Sequence, residues 1–155
     1  MLRENGITLL ADVRALPRSR RNPQFNSDAF AKALATSDIA YRHMPQLGGM
    51  RKPRADSVNE SLTEGFRGFA DYMQTPEFDA ALAGLLQLSE QQRLAIMCAE
   101  AKPLECHRSL ISDALTARGM EVRHILGPGR VETHRLTPHA ELRDGRVSYP
   151  FRLES

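Results

Sequence analysis

Residues 97–109, MCAEAKPLECHRS, gather two cysteines, two glutamates, a histidine and an arginine into one short stretch. Side chains of these types can make a reactive thiol, a metal centre or an anion cradle. An apolar run, RLAIMC (93–98), leads in, and a helical pattern leaves from near Cys106. The first turn of that helix, residues 106–109, offers unpaired N–H groups and the positive end of a helix dipole. With Arg108 and Ser109 it suits an anion. The same field favours the thiolate of Cys106. Glu100, two residues past the apolar run, can orient Arg108 or serve as a base. The candidates for chemistry are therefore Cys98, Glu100, Cys106 and His107. Cys98 also reads as a small core residue, and His107 as a helix-start residue with its ring toward solvent.

Spacing narrows the chemistry. A tyrosine-phosphatase loop needs an arginine six positions after its cysteine, and those positions here are Leu104 and Ser112. Zinc needs about four ligands. Cys98, Cys106 and His107 could supply three, with His43 or His124 as the fourth, but no paired-finger spacing is present, so no metal site is assigned. No GxSxG elbow occurs, and the sequence leaves any cofactor unknown. A thiol redox pair formed by Cys98 and Cys106 stays open, and an anion cradle is the leading reading.

The elements that must position these groups follow from hydrophobic periodicity. Four short apolar runs read as strands: ITLLADV (7–13), IAYRHM (39–44), RLAIMC (93–98) and VRHIL (122–126). The first and third are nearly continuous in apolar character, as in strands covered on both faces. Between them lie helical patterns. SDAFAKALA starts at a capping Ser27 and pairs Phe30 with Leu34. FRGFADYM repeats apolar residues at 66, 69, 70 and 73. In TPEFDAALAGLLQL, Thr75 caps, Pro76 takes the first position, and Phe78, Leu82, Leu85 and Leu86 make a buried stripe. The last helix buries Leu110, Ile111, Ala114 and Leu115 and stops at Gly119. Asp144-Gly145 between alternating segments signals a hairpin. The expected fold is a single three-layer α/β/α domain with a mainly parallel sheet, helices on both faces and a C-terminal β-hairpin.

Loop lengths then point to one edge of that sheet. Helix-to-strand connections are short. Strand-to-helix connections, at 14–26, 45–62 and 99–105, are long where α/β units usually need about 2–6 residues. In an open parallel sheet these long loops all leave at the carboxyl edge, where ligands bind. The first carries Arg14 and Arg18, whose forked donors match phosphate or carboxylate. The second carries Gly48 and Gly49, a tight-turn signal, followed by Arg51 and Lys52. Asp12, near the end of the first strand, is costly among apolar residues unless paired, and reads as a brace for an arginine. His43 holds the matching place in the second strand. The ligand-binding candidates are thus Asp12, Arg14, Arg18, His43, Gly48, Gly49, Arg51, Lys52, Arg108 and Ser109.

Charge is distributed unevenly. Residues 14–54 hold nine Lys or Arg against Asp28 and Asp38, a balance of +7, while the whole 155-residue chain carries only +2. An anionic, phosphate-bearing partner is expected for that face. A nucleic-acid-binding module without catalysis is the alternative, with Phe25 and Tyr41 as stacking partners. No run reaches the roughly 20 apolar residues of a membrane span, and MLRENGITLL lacks a signal-peptide plan, so a cytoplasmic protein with no membrane partner is expected. Oligomeric state is not encoded in any recognisable pattern.

The segments DVRALPRSRRNPQFN, LGGMRKPR, FRGFADYM, MCAEAKPLECHRSLI and ILGPGR together resemble the domain-of-unknown-function family 488 across nearly the whole chain. The resemblance implies a compact cytoplasmic α/β domain with these motifs at one strand edge, and it implies no particular reaction. Members of that family begin with a further strand and a helix. MLRENG resembles only the last turn of that helix, closed by Gly6, so the chain is expected to lack the family's first strand and most of its first helix.

Overall fold

The structure is a computed structural model that describes residues 2, 4–13, 27–48, 53–59, 61–62, 64–97, 107–127, 129–137, 140–143 and 146–150. Its elements run β1 (Leu9–Asp12), α1 (Ser27–Ala35), β2 (Ala40–His43), a 3₁₀ turn (Pro45–Leu47), α2 (Glu64–Tyr72), α3 (Pro76–Gln91), β3 (Leu94–Met97) and α4 (Arg108–Ala117). Four more strands follow: β4 (Arg123–Gly127), β5 (Arg130–Thr133), β6 (Glu141–Arg143) and β7 (Arg146–Ser148). This is a mixed α/β fold: a parallel sheet of order β2-β1-β3 plus two antiparallel hairpins, β4-β5 and β6-β7.

The central strand explains its own composition. All four residues of β1 are buried, because β1 has a strand on each side and side chains packed above and below. Successive residues point to opposite faces and join different clusters. Leu10 packs with Leu34 of α1 and Ile39. Ala11 and Val13 join Phe69 of α2, Phe78, Leu82 and Leu85 of α3, and Leu110 and Ile111 of α4. β3 has an equally apolar sequence, yet its residues are only half-buried, since β1 is its one strand partner among the described residues.

Helix boundaries follow local chemistry. The Thr75 side chain accepts the Phe78 N–H at 3.3 Å and Pro76 opens α3, so one orphan donor is satisfied and the missing N–H costs nothing. α4 closes at Gly119, whose φ of +82° would strain any residue with a Cβ. Gly6 at φ +70° does the same for the turn at residues 2–6, where the Ile7 N–H donates to the Leu2 carbonyl at 3.0 Å.

One expectation is overturned. VRHIL reads from sequence as a further strand of the parallel sheet, but the structure pairs it, as β4, antiparallel with β5. The two strands flank Gly127-Pro128-Gly129, and a neighbour a few residues away closes a shorter loop than a parallel partner reached by a crossover. The C-terminal hairpin forms as its Asp-Gly signal predicts: Arg143 pairs with Arg146 across residues 144–145.

Candidate functional site

Parallel pairing sets Asp12 opposite His43 on one side and Met97 on the other, so the three strands end in one row. The ladder continues one step further, with Val13 N–H donating to Met97 O at 2.9 Å and Met44 N–H to Asp12 O at 2.8 Å. The chain therefore leaves all three strands at the same carboxyl edge. Asp12 is fully buried, and Tyr41 donates its hydroxyl to the Asp12 carboxylate. The carboxylate thus braces a neighbouring strand. Tyr41, partly buried, also packs against the Leu10 cluster.

Six of the sequence candidates lie within the described residues: Asp12, His43, Gly48, His107, Arg108 and Ser109. Cys98, Glu100, Cys106, Arg14, Arg18, Gly49, Arg51 and Lys52 lie outside them, and so does the stacking candidate Phe25. Gly48 closes the 3₁₀ turn at φ −71° and ψ 151°, an extended backbone that any residue adopts, so the tight-turn freedom read from Gly-Gly is not used at this position. His107 precedes α4 with Nε2 2.9 Å from the Leu47 carbonyl. A carbonyl only accepts, so Nε2 carries the proton. Its ring also lies 4.9 Å from the Phe69 ring. His107 therefore ties the start of α4 to the 3₁₀ turn and to α2, rather than turning its ring to solvent.

Farther along α4 the structure holds a polar group that the sequence did not announce. Seven consecutive residues, Ser109 to Leu115, are buried, which one apolar stripe cannot explain. Ser112 satisfies its hydroxyl on the Arg108 carbonyl at 2.7 Å. Asp113 faces the C-terminal segments. Its Oδ1 lies 2.7 Å from His134 Nε2 and accepts the Thr137 N–H at 3.0 Å, while Oδ2 accepts the Tyr149 hydroxyl at 2.7 Å. His134 Nδ1 is in turn 2.7 Å from His124 Nε2. The His134 and Asp113 side chains are 1% and 0% exposed, whereas His124 is half-buried.

Burial sets the titration of this chain. Loss of water, then the neighbouring His134 and Arg108, hold His124 below its ordinary value of 6.5, with Glu132 and Asp113 opposing. Burial first, and the Asp113 carboxylate second, push the Tyr149 hydroxyl far above its usual range, so it stays a donor. Tyr149 is also fixed from its other side. Its N–H donates to Asn59 Oδ1 at 2.8 Å, and Ser61 donates its hydroxyl to the Tyr149 carbonyl at 2.7 Å. Asn59, Ser57 and the Arg54 N–H all donate to buried Asp71 of α2. The tail of the second long loop is thereby clamped between α2 and the C-terminal strand.

Sequence reasoning missed Asp113, His134 and Tyr149, and considered His124 only as a metal ligand. Two signals were present. Asp113 interrupts the apolar stripe of α4, and the histidines flank the Gly-Pro-Gly turn. With His124 opposite Glu132, His134 falls two residues on, diagonal to His124 on the same face. Among the described residues no group of three or more His, Cys, Asp or Glu is arranged to hold a metal ion.

Residues 1–115 match the family described as "Domain of unknown function DUF488". The chain belongs to the DUF488 family. The match to DUF488 takes in the parallel sheet and α4 as far as Leu115. It ends before β4, so the resemblance is shorter than the whole-chain likeness suggested by ILGPGR. Asp113 lies inside the DUF488 match, and the histidines and tyrosine around it lie beyond. No curated protein and no solved structure matches the chain.

Proposed function

We propose that this DUF488 protein binds a phosphorylated small molecule or nucleotide at the carboxyl edge of its sheet. Arg14, Arg18, Arg51, Lys52 and the glycines of the second loop would contribute from the loops, and Arg108 with Ser109 from the first turn of α4. The row formed by Asp12, His43 and Met97 carries the reading: three parallel strands end together, and the chain continues from each into a segment rich in basic or reactive residues. Arg108 opens a ten-residue helix, where dipole and guanidinium add. Cys98, Glu100, Cys106 and His107 are the candidates for chemistry, and His107 also bonds the Leu47 carbonyl. The same proposal takes the fold as three layers, supported by the two clusters on opposite faces of β1, and the protein as cytoplasmic. No helix among the described residues is long and apolar enough to cross a membrane.

Calorimetry with inorganic phosphate and a nucleoside monophosphate tests the site. Arg108→Ala should weaken binding roughly 10- to 100-fold, the worth of a charge-assisted hydrogen bond pair. An unchanged Kd would end the reading. Nucleic-acid binding, the second class, predicts a steep loss of affinity with salt.

A further inference from the structure

All four residues of β5, Arg130 to Thr133, are exposed, and β4 is the strand's one partner among the described residues. Val131, in the middle of β5, is 41% exposed. Two strands alone make a marginal sheet, which gains from further strands or a covering helix.

The phase of the β4–β5 ladder tells which backbone groups lie on the outer edge of β5. The His134 N–H donates to the Val122 carbonyl at 2.8 Å, so these two residues form a hydrogen-bonded pair. Bonded and non-bonded pairs alternate along an antiparallel ladder. The register sets Arg123 opposite Thr133, His124 opposite Glu132 and Ile125 opposite Val131. The next bonded pair is therefore His124 with Glu132, whereas Val131 and Thr133 turn their N–H and C=O away from β4. Val131 thus presents a donor and an acceptor outward from the centre of an exposed strand.

Arg130 and Glu132 determine what fits this edge. They share one face of β5, and Val131 between them points to the other. Let an identical strand lie antiparallel along the edge, centred on Val131. Val131 then meets its own copy in a bonded pair, each N–H donating to the other's carbonyl. Arg130 stands opposite Glu132 of the second copy, and Glu132 opposite its Arg130, in the closer non-bonded positions. On the other face Val131 lies between Ile125 of β4 and the copy's Val131, so an apolar row crosses the joined sheet. Moving the centre to Arg130 or to Glu132 would set like charges directly opposite each other. One register alone satisfies both the backbone and the charges.

We propose that this protein forms a two-fold symmetric dimer through the edge of β5, joining two β4–β5 hairpins into one four-stranded antiparallel sheet centred on Val131. Such a contact closes on itself and stops at two copies. A four-residue strand makes a small interface, in the class of weak and reversible association. The contact uses none of the residues proposed above to hold phosphate.

Sedimentation velocity of the full chain from ~10 µM to ~1 mM should show monomer converting reversibly to dimer. Hydrogen exchange over the same range should protect the Val131 amide as concentration rises, while the Glu132 amide, already in the ladder, changes little. Val131→Pro removes the outward N–H and leaves the β4–β5 bonds in place. It should raise the dimer Kd at least ~10-fold, the worth of two backbone hydrogen bonds. Arg130→Glu and Glu132→Arg each set like charges across the contact, so each variant should be monomeric alone. Mixed, one brings two negative charges and the other two positive, and they should form a heterodimer. That recovery requires both variants to be folded, so it separates lost pairing from lost folding. A wild type that stays monomeric throughout, its edge left for a strand of another protein, overturns the inference. So does a dimer that Val131→Pro and both charge reversals leave unchanged, and so does failure of the mixed variants to associate.

Discussion

The parallel sheet meets α4 through apolar packing, and the C-terminal segments meet it through apolar packing joined to a buried polar centre. On the sheet side, Leu110 and Ile111 of α4 join an apolar cluster with Phe69, Phe78 and Val13, where stability comes from area removed from water. On the C-terminal side, Asp113 receives bonds from His134, Thr137 and Tyr149, three residues spread over the last stretch of chain. Trimming an apolar side chain costs in proportion to the buried area it gives up. A buried carboxylate stripped of donors costs the whole desolvation penalty. The comparison teaches that the C-terminal region adds one buried polar centre to an apolar core that it shares with the sheet, since Val147 and Tyr149 belong to the same cluster as Phe69 and Leu110.

The sharpest way to break this contrast is Asp113→Ala. It leaves buried His134 and Tyr149 without their acceptor and should cost about 3–5 kcal/mol in denaturant unfolding. Amides of β4 to β7 should lose hydrogen-exchange protection before those of β1. Equal loss in both regions would show that the two are one cooperative unit. Phe69→Ala is the counterpart on the apolar side. Phe69 is fully buried and makes an edge contact with Phe78 at 5.9 Å between centroids, so the variant should lose about 3–5 kcal/mol, with β1 opening as early as the hairpins.

Tyr149→Phe is gentler. It removes one donor from Asp113 but keeps the ring, and should cost about 1–3 kcal/mol by thermal or denaturant melting. A pH titration separates the regions without substitution. Above 6.5 His124 is neutral in both folded and unfolded chains. As pH falls below 6.5 the unfolded chain binds its proton first, because the folded value is lowered, so stability is lost until the folded value is passed. The melting temperature should therefore fall between about pH 7 and pH 5, and His124→Gln should flatten that slope; an equal slope in the variant would remove His124 as its cause. The smallest effect is expected at Arg54→Ala. Its ion pair with Asp56 is 63% and 73% exposed, so the change in stability should stay within about 0.5 kcal/mol.

How much was legible beforehand follows the same divide. β1, α3 and the Asp144-Gly145 hairpin were readable because periodicity, capping residues and turn chemistry are local signals. The common carboxyl edge was readable because parallel topology follows from alternating strands and helices. The fate of VRHIL was not, since a short apolar run does not name its partner, and only the Gly-Pro-Gly turn beside it hints at a local one. Asp113 was hidden for a related reason. One acid in an apolar stripe looks like a residue at the edge of the buried face until the segment that covers that face is known.

The amino-acid sequence by itself determined the elements, the concentration of positive charge in residues 14–54 and the reactive residues beside α4, all properties that depend on neighbours along the chain. Only the tertiary structure decided that His124, His134, Asp113 and Tyr149 form one hydrogen-bonded line, and that His107 supports a turn. Hydrogen bonds are short and directional. Residues up to 36 positions apart meet within 2.7 Å only after hydrophobic packing has set the helix and hairpins in place.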